Sequence, residues 1–239
     1  MATLNKKLIS ALVSINYSDF LELVLPFNTK IFDTIYVITI REDKKCIDIC
    51  SQYDNVECFI VDVSVLKKNN TSFNRGAAYN LLFDQLQKDN YQDWICLTDS
   101  DIIFPPNLRD LVSKVNYGPM YSLPRSFCQN ENQFKRYISS INSGKSHSLS
   151  VDRRSPKDVF GIGYMQLFQF NKKIRMPENF NDVSKIDHVF RNTHFWKNCK
   201  LLYDVEYCVH LGTTHTNWTG RKSKEWVKPK TTLDNHDKL

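Results

Sequence analysis

The chain has 239 residues, 41% of them hydrophobic, and a formal net charge of +6. That is enough apolar material for one full-sized core, and no Pro/Gly/Ser-rich linker divides it. No stretch approaches about 18 uncharged apolar residues, which argues against a membrane-spanning helix. The mild positive charge favours anionic partners without separating nucleotides, phosphates, nucleic acid and acidic membrane surfaces.

The opening "MATLNKKLISALVSINY" imitates a secretory signal only in part, because its apolar portion is short, alternates like a strand and lacks a small-residue cleavage site. A cytoplasmic protein is expected. Within it, "KLISALVSINY" (7–17) reads as a buried strand. "SDFLELVLPFNTKIF" follows at helical spacing, with Ser18 or Asp19 as N-cap and Pro26 as the point where the helix breaks or ends. "TIYVITI" (34–40) is a second strand, "REDKKCIDICSQY" (41–53) an amphipathic helix and "VECFIVDV" (56–63) a third strand. "SFNRGAAYNLLFDQLQK" (72–88) opens with a turn and becomes a helix, and "DWICLTDSDIIF" is the fourth strand.

Strands that alternate with helices over the first 105 residues predict an α/β fold with a mostly parallel, doubly wound sheet. The second half is less regular. It offers strands near 119–123 and at 160–170, a helix at 185–197 ("KIDHVFRNTHFWK") and one closing strand at 200–212 ("KLLYDVEYCVHLG") before a basic, polar tail. The seven cysteines are odd in number and contain no CxxC pair. They fall mostly in apolar periodic segments, as buried structural thiols do.

In doubly wound sheets ligands bind beyond the carboxyl ends of the strands. Here those ends carry Asn16 and Tyr17, Arg41 and Asp43, Asp62, and the run Asp99-Ser100-Asp101. Two carboxylates this close repel each other unless something positive sits between them. A hard divalent cation wants oxygen ligands and combines one or two carboxylates with substrate phosphates; the bland alternative is a solvated turn. "FNRGAAYN" (73–80) places Gly76 at a tight turn, Arg75 in reach of phosphate or carboxylate, and Asn80 one turn along the helix. Asp187 has Arg191 at i+4, so it is either half of a surface ion pair or a carboxylate able to act as general base. His210 ends a strand and is a reasonable further ligand for Mn²⁺, with His215 competing. Trp218 could stack on a sugar, and Arg221 could bind phosphate.

In this order, "VITIREDKKCIDIC", "SFNRGAAYN", "DWICLTDSDIIFP", "GIGYMQLFQF" and "HLGTTHTNWTGR" resemble the GT-A glycosyltransferases of the family 2-like type, over roughly residues 8 to 221. The resemblance implies a single GT-A domain at 1–225, with a nucleotide-sugar-binding half at 1–105, an acceptor-side half at 106–225 and a tail at 226–239. It implies that Asn16, Tyr17 and Asp43 meet the nucleoside base. Asn74, Arg75 and Gly76 would hold the ribose–phosphate region, where the family more often has lysine in place of Arg75. Asp99, Ser100 and Asp101 would bind ribose and metal, with Asp101 the direct ligand, and His210 would match the late metal- or phosphate-contacting histidine. Gly163 and Gln166 would lie in the acceptor-side strand, and Asp187 would match the acidic base position, although the usual Glu-Asp pair is here Ile186-Asp187.

The activity so implied is transfer of a sugar from a nucleotide diphosphate sugar, UDP first and GDP or dTDP next, to a glycan, protein or lipid-linked hydroxyl, with Mn²⁺ or Mg²⁺ and with inversion. No nucleic-acid partner is expected. Two rivals stand beside it. A sugar-phosphate nucleotidyltransferase should carry a glycine-rich basic loop after the first strand, and "SINYSDF" has no glycine. A basic nucleic-acid or membrane-surface module would use "RKSKEWVKPK" (221–230), with five basic residues against one acidic; the same run is compatible with peripheral membrane contact.

Overall fold

The computed structural model describes residues 6–71, 73–144, 149–151, 164–178, 185–202 and 207–212. β1 (Leu8–Val13), α1 (Ser18–Asn28), β2 (Thr34–Ile40), α2 (Lys44–Cys50) and β3 (Val56–Val61) follow one another as three neighbouring strands of a parallel sheet joined through helices. A short α3 (Val63–Leu66) leads to α4 (Arg75–Lys88), which returns the chain to β4 (Trp94–Thr98) on the other side of β1. The later elements are β5 (Ile102–Ile103), α5 (Leu108–Lys114), β6 (Met120–Ser122), β7 (Arg125–Cys128), α6 (Glu131–Asn142) and β8 (Ser150–Val151). After them come β9 (Met165–Gln169), α7 (Ile186–His194), β10 (Cys199–Leu201) and β11 (Cys208–Leu211).

Seven strands form the central sheet in the order β10-β6-β9-β4-β1-β2-β3, and four form a second sheet in the order β5-β11-β7-β8. In the central sheet β9 alone runs antiparallel to its neighbours, β4 and β6. The expected mostly parallel, helix-flanked α/β architecture is what the chain adopts. The order reverses between β1 and β4, so the switch point lies at the carboxyl ends of those two strands.

The strands read as continuous apolar runs because both faces of the sheet are covered. Leu8, Leu12, Trp94 and Cys96 point to one core, with Phe20, Leu21, Val24 and Leu25 of α1 and Ile49 of α2. Ile9, Ala11, Ile95 and Leu97 point to the other, with Tyr79, Leu82 and Phe83 of α4 and Phe190 of α7. The period-two alternation of a strand sends neighbours to opposite faces.

Four local expectations are corrected. Pro26 sits inside α1, which continues to Asn28, and the N-cap is Tyr17 without a side-chain bond. The proline removes one helical bond, from position 26 to the Glu22 carbonyl, and the helix ends two residues later. "DWICLTDSDIIF" is two strands in two sheets, with the Asp-Ser-Asp run as the turn between them, and the single closing strand likewise divides into β10 and β11 in different sheets. All seven cysteines are free thiols and five are buried; burial pushes the Cys208 thiol up to about 12 and the Cys128 thiol up to about 11. No described helix is long and apolar enough to cross a membrane.

Candidate active site

The loops after β1 and β2 are tied to each other at the switch point. Asp43 caps α2, one carboxylate oxygen accepting from the Cys46 N–H at 3.2 Å and the other from the Asn16 N–H at 2.8 Å. Asn16 occupies the left-handed region at φ 61°, which asparagine tolerates better than most residues. Tyr17 is half-buried, its ring 6.3 Å from Phe20. Asp62 caps α3 by accepting from the Ser64 N–H at 2.8 Å; the bonds from Ser64, with help from the Arg41 charge, hold its carboxyl below the usual range.

The turn after β4 is fixed on two sides. The Ser100 hydroxyl donates to the Val13 carbonyl at the end of β1 (3.1 Å), and the Leu211 N–H of β11 donates to the Asp101 carbonyl (2.8 Å). Its two carboxylates have different surroundings. The Asp99 side chain is partly exposed and meets the Arg75 guanidinium at 2.9 Å, whereas Asp101 is buried and lies 3.4 Å from Nε2 of the equally buried His210. Within the chain the Arg75 guanidinium offsets the charge of Asp99, while Asp101 has the His210 imidazole beside it.

Arg75 joins this turn to α7. Its second guanidinium nitrogen lies 3.5 Å from Oδ1 of Asp187, in the first turn of that helix. Asp187 is buried, so the alternative of an ordinary solvated surface pair is excluded. The guanidinium also stacks over the Tyr79 ring at 5.4 Å, a cation–π distance. Burial pulls the Arg75 pKa down, but Tyr79, Asp187 and Asp99 together outweigh it and hold the group firmly protonated. Burial keeps the Tyr79 phenol protonated too, within reach of the Ala11 and Thr98 carbonyls. Gln166 of β9, wholly buried beside Leu97 of β4, directs its amide toward the Asp187 carbonyl at 3.5 Å.

Other predicted residues shape the site from behind. Asn74 caps α4 through the Ala77 N–H (2.9 Å) and donates to the carbonyls of Lys68 (3.0 Å) and Glu178 (2.8 Å). Asn80 exchanges two 2.9 Å bonds with the Met176 backbone and donates to the Glu178 carboxylate at 2.7 Å. Gly76 is where segment 174–178 crosses the helix: a Cβ there would stand 1.9 Å from the Pro177 carbonyl oxygen. Gly163, His215, Trp218 and Arg221 lie outside the described residues.

Two participants went unrecognised in the sequence. Glu178 pairs with Lys68 at 2.6 Å; burial raises its pKa, but Lys68 and Asn80 outweigh that and hold the carboxyl below the usual range. Arg125 of β7 is buried between the rings of Tyr164 (4.4 Å) and Phe127 (4.9 Å), and Phe127 packs edge-on to His210. A glycine inside a helix hints at a close backbone approach, but nothing local says that Pro177 supplies it and that Glu178 follows into the site.

Among the described residues no three His, Cys, Asp or Glu side chains are grouped as a metal site. What the fold does assemble is the buried Asp101–His210 pair, a carboxylate and an imidazole 3.4 Å apart.

No protein-family model matches the chain, and no curated protein matches it. Among solved structures it is similar to the 4-diphosphocytidyl-2C-methyl-D-erythritol synthase of Anaerococcus prevotii, 13% identical, covering 96% of this chain and 95% of that one, with a TM-score of 0.47. It is similar to a mannosyltransferase of Pyrobaculum calidifontis in complex with GDP-Man and Mn²⁺, 11% identical, covering 86% of this chain and 56% of that one, with a TM-score of 0.47. The glucosyl-3-phosphoglycerate synthase of Mycobacterium tuberculosis is 9% identical, with 87% of this chain and 73% of that one covered and a TM-score of 0.44. These identities are too low to carry residue roles across.

Proposed function

We propose that the chain is a glycosyltransferase that moves a sugar from a nucleotide diphosphate sugar, UDP-linked by preference, to an acceptor hydroxyl with inversion. Residues 1–105 would form the donor half and 106–225 the acceptor half. One observation carries the reading. Arg75 bridges Asp99 and Asp187 at the β1/β4 switch point, with the buried Asp101–His210 pair beside it.

In this reading Asn16, Tyr17 and Asp43 border the base, and Asn74, Arg75 and Asp99 the ribose and diphosphate. Asp101 and His210 would hold a divalent cation, which supplies neutralisation of the departing diphosphate. Arg75 offers a planar fork of donors suited to phosphate oxygens, and it already lies over the Tyr79 ring. Oδ of Asp187 would take the proton from the acceptor hydroxyl as that oxygen attacks the anomeric carbon. Arg75 fixes where that carboxylate stands. Gly163, Gln166 and Trp218 would line the acceptor side, and Arg221 would add a phosphate contact. A nucleotidyltransferase would need a glycine-rich loop after β1, where this chain has Ser14-Ile15-Asn16-Tyr17.

The test is calorimetric titration with UDP, GDP and dTDP, each with Mn²⁺ and with chelator, on the wild type and on Asp101→Ala. Metal-dependent binding of one nucleotide that the substitution abolishes supports the reading. Failure of all three to bind under either condition would overturn it.

A further inference from the structure

The edge of the central sheet opposite the candidate site gathers the first residues of six parallel strands and the last residue of β9. Two turns meet there. The one leaving α7 carries Trp196 and Lys197, and the one leaving β9 carries Lys172 and Lys173. Lys7 precedes β1 on the same edge, and Lys200 stands on the outermost strand, β10. Trp196 is 63% exposed, more than any other large apolar side chain among the described residues.

Both turns are held firmly. Phe195 is buried 5.2 Å from Phe168 and 5.9 Å from Phe190, while Trp196 beside it is left in solvent. The Asn198 N–H closes the turn onto the Phe195 carbonyl at 2.8 Å, with Lys197 in the left-handed region at φ 60°. In the other turn, the Lys173 N–H donates to the Asn171 side chain (3.0 Å), and Gln87 donates to the Lys172 carbonyl (3.0 Å). His194 links the two segments through the Arg175 backbone at 2.8 Å.

Lys7, Lys172, Lys173, Lys197 and Lys200 are all exposed, and none makes an ion pair among the described residues. Against them stand Asp93, whose carboxylate accepts from the Lys7 N–H and the Tyr117 hydroxyl, Asp33 before β2, which pairs with Arg109, and Asp54 before β3, so the basic part of the edge is its β9–β10 side. Lys88 and Asp89, adjacent at the end of α4, offset each other.

We propose that this edge is a docking surface for an anionic lipid bilayer, with Trp196 seated at headgroup depth and the surrounding lysines on acidic headgroups. An indole held outward among unpaired lysines has the composition of a peripheral membrane contact, since Trp favours the lipid–water boundary and each lysine near an acidic leaflet adds attraction. Single-stranded nucleic acid calls instead for a groove that tracks the backbone beside several stacking rings. Turn tips at the end of a sheet offer neither. The surface lies across the sheet from the candidate site, so a docked chain presents that site to the aqueous side. Its acceptor then comes from solution or from the far end of a long chain, not from the headgroup layer underneath.

The test is co-sedimentation of the full chain with vesicles of phosphatidylcholine alone or with about a third phosphatidylglycerol. Association with the anionic vesicles only is expected. It should fall about tenfold or more in Lys172→Ala/Lys173→Ala/Lys197→Ala and several-fold in Trp196→Ala. Nucleotide affinity should stay at its wild-type value in both variants, which separates this proposal from the transferase reading. No association with either vesicle overturns it. So does association that survives both variants, which would place the contact in the 221–230 run, and so does binding of a single-stranded oligonucleotide without binding of vesicles.

Discussion

Replacing Gly76 by alanine should destabilise the protein, although alanine is the better helix former. In a helix interior the exchange favours alanine by about 1 kcal/mol. At this position the new Cβ would stand 1.9 Å from the Pro177 carbonyl oxygen and 2.9 Å from its carbon, both backbone atoms that no rotamer change can move. Segment 174–178 would have to retreat by about 1.5 Å to restore ordinary contact. It is clamped where it lies by two bonds to the Asn80 amide, a third from Asn80 to the Glu178 carboxylate and a fourth from Asn74 to the Glu178 carbonyl. Losing two or three of these at about 1 kcal/mol each, with overpacking strain of about 1–3 kcal/mol, exceeds the propensity gain. The net expectation is a loss of about 2–5 kcal/mol in urea unfolding, with weaker nucleotide binding because Arg75 is the adjoining residue. The double variant Gly76→Ala/Asn80→Ala should lose less than the two single losses combined, since the clamp that resists the retreat is gone. A Gly76→Ala protein within about 0.5 kcal/mol of wild type, binding nucleotide as before, would refute the reasoning.

Three further outcomes follow from the same site. Arg75→Met leaves Asp99 and Asp187 without their shared guanidinium and should cost about 3–5 kcal/mol in chemical denaturation; Arg75→Lys, with charge but no fork, should recover only part of that. Asp187→Asn should lower the transfer rate about 10²–10⁴-fold while leaving nucleotide affinity by calorimetry within about threefold of wild type. The folded-state pKa of Glu178 lies below its ordinary 4.5, so its pairing stabilises the fold fully above that value and is lost as pH falls through the lower one. The stability difference between wild type and Glu178→Gln should thus be constant near neutrality and shrink as the pH falls below 4.5; a difference that persists once the carboxyl is protonated would place its origin in packing rather than in charge.

The first half of the fold was legible because its signals are local. Apolar runs such as "TIYVITI" and "WICLT" are buried on both faces, and α1, α2 and α4 show helical spacing over their own lengths. The splits of 94–103 and 199–211 between two sheets were not legible, because a strand's sheet is chosen by partners distant in sequence: β11 lies between β5 and β7, and β10 beside β6. The same limit applied to the site. Asp99, Asp101, Arg75 and Asp187 could be named from their residue types and placement, but which of them meet was a tertiary fact. Sequence spacing offered Arg191 to Asp187 by the i+4 rule, whereas the fold buries Asp187 against Arg75, more than a hundred residues away in the chain. That pairing bears on the proposed chemistry. One guanidinium stands between a carboxylate of the donor turn and the carboxylate proposed as base, and it is the group best shaped to receive a diphosphate. A diphosphate that draws Arg75 toward itself must loosen its hold on Asp99 or Asp187. On the proposed reading, donor binding and the freeing of the base are therefore coupled through a single side chain, and substitution of Arg75 should disturb both together.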